Sequence, residues 1–281
     1  MSEGEKCGTC DSKAEGCSPD NCGTTVLPQN EVNDIKHVIG VMSGKGGVGK
    51  SSVSALAALS LARKGYLVGI LDADITGPSI PKMFGLKEHP RHAENFLYPV
   101  MSRAGIAVMS LNLLLEQEDQ PVIWRGPIIA GAVKQFWTDV AWGGLDYLVV
   151  DMPPGTGDVP LTVMQSLPLE ALVIVTSPQD LANMVVKKAI NMARQMNIPI
   201  LGLVENMSCL HCPDCGREIN IFGAGHTDGL LAATGLRMLE KLPLDPGLAE
   251  LCDAGLIEDY QGELFNDLDR LVEALPAIKT G

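Results

Sequence analysis

The stretch Gly44 to Ser52, GKGGVGKSS, constrains the fold more than any other, because it lies between an apolar run (Val38 to Met42) and an alanine-rich run (Ala55 to Ala62). Read as strand, loop and helix, it satisfies G-x-x-x-x-G-K-[ST], with Gly44 and Gly49 as the glycines and Lys50 and Ser51 after them. A glycine-rich turn points several backbone N–H groups at one centre, since without Cβ atoms the chain adopts positive φ and approaches a ligand closely. The helix that starts near Lys50 adds its positive dipole end, which makes a polyphosphate the natural guest. The cradle then comprises Gly44, Lys45, Gly46, Gly47, Val48 and Gly49, with Lys50, Ser51 and Ser52 at the helix start. Lys50 is placed to neutralise the β and γ phosphates, and the Ser51 hydroxyl to ligate Mg²⁺.

Two further strands end in carboxylates. Leu67 to Leu71 runs into Asp72-Ala73-Asp74, and Leu148-Val149-Val150 into Asp151. Continuous apolar runs suit strands buried on both faces of a parallel sheet, whose carboxyl edge is where ligands bind. Asp74 is thus a candidate to orient water or Mg²⁺, or else a helix cap or turn residue. Asp151 reads as a Walker B acid reaching Mg²⁺ through water. The loop after it, Met152 to Asp158 (MPPGTGD), reads as a switch in which Gly155 offers its N–H to a γ-phosphate. Strands at Leu172 to Thr176 and Ile200 to Glu205 continue the alternation with helices, which predicts an α/β fold, a doubly wound, mostly parallel sheet. Asn206 closes the last of these and can read a purine edge with one donor and one acceptor, or simply terminate the strand.

Other segments are less regular. Residues 85 to 105, with His89 and His92, read as solvated loop. Ile128 to Val140 is an apolar helix lying over the sheet or at a partner surface, and helices are expected at Leu248 to Ala254 and Glu263 to Leu275 after a short strand, Leu239 to Leu242.

The cysteines fall into two groups and a remainder. Cys7, Cys10, Cys17 and Cys22, spaced C-x2-C-x6-C-x4-C, occupy a segment with almost nothing to build a core. Four thiolates there suit [4Fe–4S], [2Fe–2S] or Zn²⁺ alike. This separates residues 1 to 30, a cysteine-rich metal-binding segment and linker, from residues 31 to 281, the nucleotide-binding domain, with a CxxC insertion at about 207 to 226. In that insertion Cys209, Cys212 and Cys215 read CLHCPDCG, and the Cys212–Cys215 part looks like a metal-binding knuckle. Either another residue completes the site, His211 and His226 being near in sequence, or a second copy of the chain donates its pair across a two-fold axis. A redox dithiol is the third reading. Cys252, alone in a helical stretch, reads as a buried apolar residue.

A formal charge of −13 with no basic cluster argues against a nucleic-acid or anionic-membrane surface. No export signal and no apolar stretch of membrane-spanning length is apparent, so a cytoplasmic setting is expected, where many cysteines point to metal or redox chemistry.

Taken together, these motifs resemble a known family. Lys45, directly after the first glycine, resembles the second lysine of the deviant Walker A loop of MinD/ParA-class ATPases. Within that class DADITGPSIP (72 to 81), WRGP (124 to 127), DMPPGTGD (151 to 158), ENMS (205 to 208), CPDCG (212 to 216), IFG (221 to 223) and PLDP (243 to 246) resemble the Mrp/ApbC-type iron–sulfur cluster carrier ATPases. The resemblance implies an ATP hydrolase that works as a homodimer. In it Lys45 reaches the neighbour's nucleotide, and Asp74 is the switch carboxylate that helps position the attacking water. Cys212 and Cys215 of each subunit would hold a bridging [4Fe–4S] cluster destined for apo iron–sulfur clients, with Cys209 outside that pair. The N-terminal tetrad resembles the stable cluster segment of the family's eukaryotic cytosolic scaffold ATPases, with a different spacing. The competing readings are a MinD/ParA-like positioning ATPase, for which the acidic C-terminal segment lacks the basic amphipathic helix, and a nucleotide-gated adaptor with structural zinc at Cys212 and Cys215.

Overall fold

The structure is a computed structural model that describes residues 27–74, 79–93, 95–115, 126–223, 227–262, 265 and 267–275. The N-terminal tetrad Cys7, Cys10, Cys17 and Cys22 lies outside the described residues, as do 75–78 of the first acidic motif, 124–125 of WRGP, and His226.

In chain order the strands are β1 (Asp34–Ser43), β2 (Val68–Asp72), β3 (Arg91–Ala93), β4 (Phe96–Tyr98), β5 (Val100–Met101), β6 (Ala107–Ser110), β7 (Gly144–Asp151), β8 (Ala171–Thr176), β9 (Ile200–Asn206), β10 (Leu210–His211), β11 (Glu218–Ile219) and β12 (Met238–Leu242). The helices are α1 (Lys50–Arg63), α2 (Ile80–Met83), α3 (Gly126–Thr138), α4 (Asp158–Ser166), α5 (Asp180–Gln195), α6 (Thr227–Thr234), α7 (Pro246–Ala254) and α8 (Leu268–Glu273). Eight strands form one sheet in the order β12-β9-β8-β1-β7-β2-β6-β5, parallel throughout except for the antiparallel edge strand β5. This is the doubly wound α/β architecture expected from the alternation of apolar strands and helices.

Period-two alternation divides each central strand between two cores. In β7, Tyr147 and Val149 pack with Val53, Leu56 and Leu61 of α1 and Leu268 and Val272 of α8. Leu148 and Val150 face the other way, toward Phe136 and Trp137 of α3, Val163 of α4 and Ala189 and Ile190 of α5. Helix α3 therefore covers the sheet, the first of the two readings of that apolar segment. Gly65, at φ 93, ends α1 as expected. The segment preceding β1 is tied down rather than loose: Asn30 donates to the carbonyls of Thr138 and Val140, and the Trp137 indole donates to Leu27 O.

One expectation is corrected. Residues 85 to 105 are not plain loop: β3 and β4 form an antiparallel hairpin turned at Asn95 (φ 112), and β5 pairs with β6. His89 Nδ1 lies 2.8 Å from the Leu113 carbonyl. Two-residue and three-residue strands, exposed in β3 and only partly buried in β4 and β5, carry too little apolar alternation to be seen in sequence.

Candidate functional site

Parallel pairing brings the carboxyl ends of the central strands to one level. Asp72 lies directly across from Asp151 on β7 and from Ser110 on β6, and Ser43 ends β1 beside them. Helix α1 begins at this edge, entered through Gly49 in the left-handed conformation (φ 78). Its first turn contains no acidic residue and starts with Lys50, so nothing in that turn opposes the positive end of the helix dipole. A cation at that end is unfavourable unless acidic groups hold it.

They do. The Lys50 ammonium is 2.8 Å from Asp151 Oδ1 and 3.4 Å from Asp74 Oδ2, with Lys50 and Asp151 6% and 0% exposed. Ser51 Oγ donates to Asp151 Oδ2 at 2.6 Å, and Ser54 Oγ donates to Asp151 Oδ1 at 2.7 Å. Asp72 accepts from the Asp74 backbone N–H (3.1 Å) and the Ser110 hydroxyl (3.1 Å). Burial, with the nearby Asp151 carboxylate, pushes the Asp72 carboxyl well above the ordinary range. Three carboxyl groups thus share one ammonium in a buried corner. That donor set fits a Mg²⁺ ion held by Ser51 and Asp151, because a doubly charged hard cation balances the surplus of carboxylate. Among the described residues every buried side-chain nitrogen and oxygen has a hydrogen-bond partner.

The loop is shaped by close approach. A Cβ on Gly44 would sit 2.8–2.9 Å from backbone atoms of Val185 and Val186 in α5, and one on Gly49 would sit 2.1 Å from Asn206 Nδ2. Asn206, at the end of β9, donates from Nδ2 to the Val48 carbonyl at 2.9 Å, so the carboxamide that the sequence offers to a purine edge also clamps the loop. Lys45 Nζ reaches Gln179 Oε1 of its own chain at 2.6 Å. The Gly155 N–H donates to the Ser43 carbonyl at 2.9 Å, as the Met152 N–H does to Val41, because the first turn after β7 stays zipped to the end of β1. Contact between Gly155 and a phosphate requires that bond to be exchanged.

Sequence reading missed Ser54 and undervalued Asp72. Ser54 follows Lys50 by four residues, the spacing that places both on one face of α1, and that was the available signal. Asp72 carried none, because its neighbours come from other strands.

The second site projects from the sheet. After Asn206 the chain enters the β10/β11 hairpin, with Leu210 opposite Ile219 and His211 opposite Glu218. The ladder continues through the Cys212 N–H to the Arg217 carbonyl (2.9 Å), and the Gly216 N–H closes a turn onto the Cys212 carbonyl (2.9 Å). Backbone N–H groups of Cys215 and Asp214, and the Cys215 thiol, hold the Cys212 thiol below its usual range. Both cysteines reach solvent, Cys212 half-buried and Cys215 exposed. A turn whose amides stabilise a thiolate is what a metal knuckle requires. Cys252 is half-buried and packs against the α1 core, where burial raises its thiol. Among the described residues no helix is long and apolar enough to cross a membrane.

Comparison with known proteins agrees with this geometry. The chain is 45% identical over 270 residues to an iron–sulfur cluster carrier protein of Clostridium perfringens, covering 92% of each. It is 44% identical over 258 residues to one of Methanocaldococcus jannaschii, covering 88% of this chain and 89% of the other. A nucleotide-binding protein of Archaeoglobus fulgidus, solved in complex with ADP and with Co found in it, superposes with a TM-score of 0.73 at 43% identity over 88% of this chain and 95% of that one. The cell-division protein MinD of Aquifex aeolicus shares the fold, with a TM-score of 0.57 at 18% identity over 86% of this chain and 100% of that one. The family profile described as ParA, NUBPL iron-transfer P-loop NTPase, matches residues 34–275, so the chain belongs to that family.

Proposed function

We propose that the chain is an ATP-hydrolysing carrier that binds [4Fe–4S] clusters and passes them to apo-proteins. The observation that carries this reading is the solvent-reaching Cys212–Cys215 turn, with its lowered Cys212 thiol, on a hairpin that grows directly out of the nucleotide edge of the sheet. Two thiols are too few to close a four-ligand site. A second copy related by a two-fold axis supplies the other pair, and a cluster held between chains is exposed enough to leave. The naming of the Clostridium and Methanocaldococcus relatives as cluster carriers supports the same cargo.

At the other site the loop N–H groups and Lys50 hold the phosphates of ATP; the Archaeoglobus neighbour, solved in complex with ADP, supports a nucleotide as the ligand. Ser51 and, through water, Asp151 would hold Mg²⁺, which would supply charge neutralisation to the β and γ phosphates. Asp74, buried beside Lys50, orients the attacking water. Lys45 exchanges its hydrogen bond to Gln179 for the phosphates of the neighbouring subunit, which makes turnover depend on dimer formation. The Cys7, Cys10, Cys17 and Cys22 segment holds a second metal centre. Apo iron–sulfur proteins are the partners, in the cytoplasm.

Anaerobic reconstitution tests the cargo: the expected result is a brown dimer with about four iron and four sulfide per bridging site. A colourless protein that takes up only zinc overturns it. Steady-state ATP turnover should fall to background in Lys50→Ala and in Lys45→Ala, and equal rates in all three proteins would remove hydrolysis from this loop. In Cys212→Ser the bridging cluster should be lost while ATP binding is retained.

A further inference from the structure

Cys209 stands outside the Cys212–Cys215 pair, and the fold gives it different neighbours. It lies two residues before His211, just ahead of the β10/β11 ladder, in which His211 is paired directly across from Glu218. His211 Nε2 is 3.7 Å from Glu218 Oε1. The Cys209 sulfur, a ring nitrogen of His211 and a carboxylate oxygen of Glu218 all lie within 4.8 Å of one another, and neither Cys212 nor Cys215 belongs to this group. Donors on a tetrahedral ion with bonds of about 2.0–2.3 Å stand about 3.4–3.6 Å apart. The three atoms therefore need to close by about 1.4 Å at most.

The parts that must move are the exposed ones. The side chains of His211 and Glu218 are 55% and 70% exposed, free to rotate about their own bonds. Cys209 is the fixed point: its carbonyl accepts from the Leu244 N–H at 2.7 Å, and Ser208 before it is bonded to the Leu242 carbonyl through both its N–H (2.9 Å) and its hydroxyl (3.0 Å). Cys209, His211 and Glu218 also line one wall of a cleft of about 490 Å³, which Asn220 and Asp228 continue. Three protein donors with a fourth position open to a cleft is the pattern of an exchangeable site, whereas a structural site closes all four. One thiolate, one imidazole and one carboxylate together favour Zn²⁺, Fe²⁺ or Co²⁺ over Mg²⁺ or Ca²⁺, which prefer oxygen alone.

We propose that Cys209, His211 and Glu218 form a mononuclear site for a divalent first-row transition ion, built by a single chain and separate from the Cys212–Cys215 pair. It requires no second subunit and no sulfide. The test is anaerobic Co²⁺ titration of the full chain with Cys7, Cys10, Cys17, Cys22, Cys212 and Cys215 all changed to Ser. One equivalent of Co²⁺ should bind, with the visible bands of a four-coordinate ion and a single thiolate-to-cobalt charge-transfer band. Adding Cys209→Ser should remove the charge-transfer band, and adding His211→Ala or Glu218→Gln should weaken binding by about tenfold or more. Absence of a four-coordinate spectrum in a chain that still binds ADP, or a charge-transfer band that survives Cys209→Ser, overturns the proposal. As a second arm independent of the multiply substituted chain, Cys209→Ser alone should lower the Co²⁺ stoichiometry by one per chain relative to wild type. An unchanged stoichiometry there also overturns it.

Discussion

The loop's tightest constraint is the approach of Gly49 to Asn206, and Gly49→Ala measures it. An alanine at φ 78 carries the cost of the left-handed conformation, about 1–2 kcal/mol. Its Cβ would also lie 2.1 Å from Asn206 Nδ2, a distance no contact tolerates. The cheapest escape is for the carboxamide to swing away, which breaks its 2.9 Å bond to the Val48 carbonyl and leaves that acceptor unsatisfied, a further cost of about 1–3 kcal/mol. The single variant should therefore lose about 2–5 kcal/mol. Asn206→Ala alone loses the same bond and should cost about 1–3 kcal/mol. In the double variant the bond can be lost only once. Gly49→Ala/Asn206→Ala should be no less stable than Gly49→Ala, a coupling of about 1–3 kcal/mol in a double-mutant cycle. Urea midpoints with the slope checked for constancy give the four free energies. If the two single costs add to within about 0.5 kcal/mol, Asn206 does not clamp the loop and the argument fails.

Ser54→Ala removes a buried hydrogen bond to the Asp151 carboxylate and should cost about 1.5–3 kcal/mol, or about 3–12 °C in melting temperature; an unchanged melting curve would show that Lys50 and Ser51 alone hold Asp151. Asp72 has its pKa raised on folding, so its contribution to stability is complete below the unfolded value of about 3.9 and is lost as pH rises through the folded value. Stability of Asp72→Asn measured across that rise should accordingly fall less than that of wild type, and parallel curves would contradict the assignment. Cys212, held low by the turn amides, should be alkylated by iodoacetamide at pH values below the usual thiol range, and urea should abolish the advantage. Peptide mapping that finds no difference between folded and unfolded chain would count against the knuckle.

How much of this was readable in advance depends on where each signal resides. The strands β1, β2, β7, β8 and β9 were legible because burial on both faces demands unbroken apolar runs. The β3/β4 hairpin was not, since its side chains are mostly exposed and nothing about HAENFLY requires a strand. At the site, Lys50, Ser51 and Asp151 announced themselves through local spacing. The carboxyl group of Asp72 acquires its raised pKa from burial and then from Asp151, a residue brought opposite it only by strand order. Asn206 was legible as a polar strand end, but its grip on Val48 depends on how β9 sits beside the loop. The Cys209–His211–Glu218 grouping is likewise a product of hairpin register, although CLHC displays two of its three members in sequence.

That register matters because of what β9 connects. Asn206 holds the phosphate loop through Val48, and Cys209 follows three residues later, anchored through Leu244 to the strand end on the other side. A ligand that moves Val48 acts on the carboxamide and, through an unbroken stretch of backbone, on the base of the hairpin that carries Cys212 and Cys215. Contiguity alone is not coupling, which needs an element with two arrangements that both sites bias. Met207, between them, supplies the place to look. It is a non-glycine residue at φ 57, a conformation that costs about 1–2 kcal/mol and persists only where its surroundings impose it. Loosening the Asn206 clamp removes one of those surroundings. Relaxation of Met207 re-aims the hairpin only if the bonds that tie Ser208 and Cys209 to Leu242 and Leu244 are exchanged as well, while β9 itself can remain paired with β8.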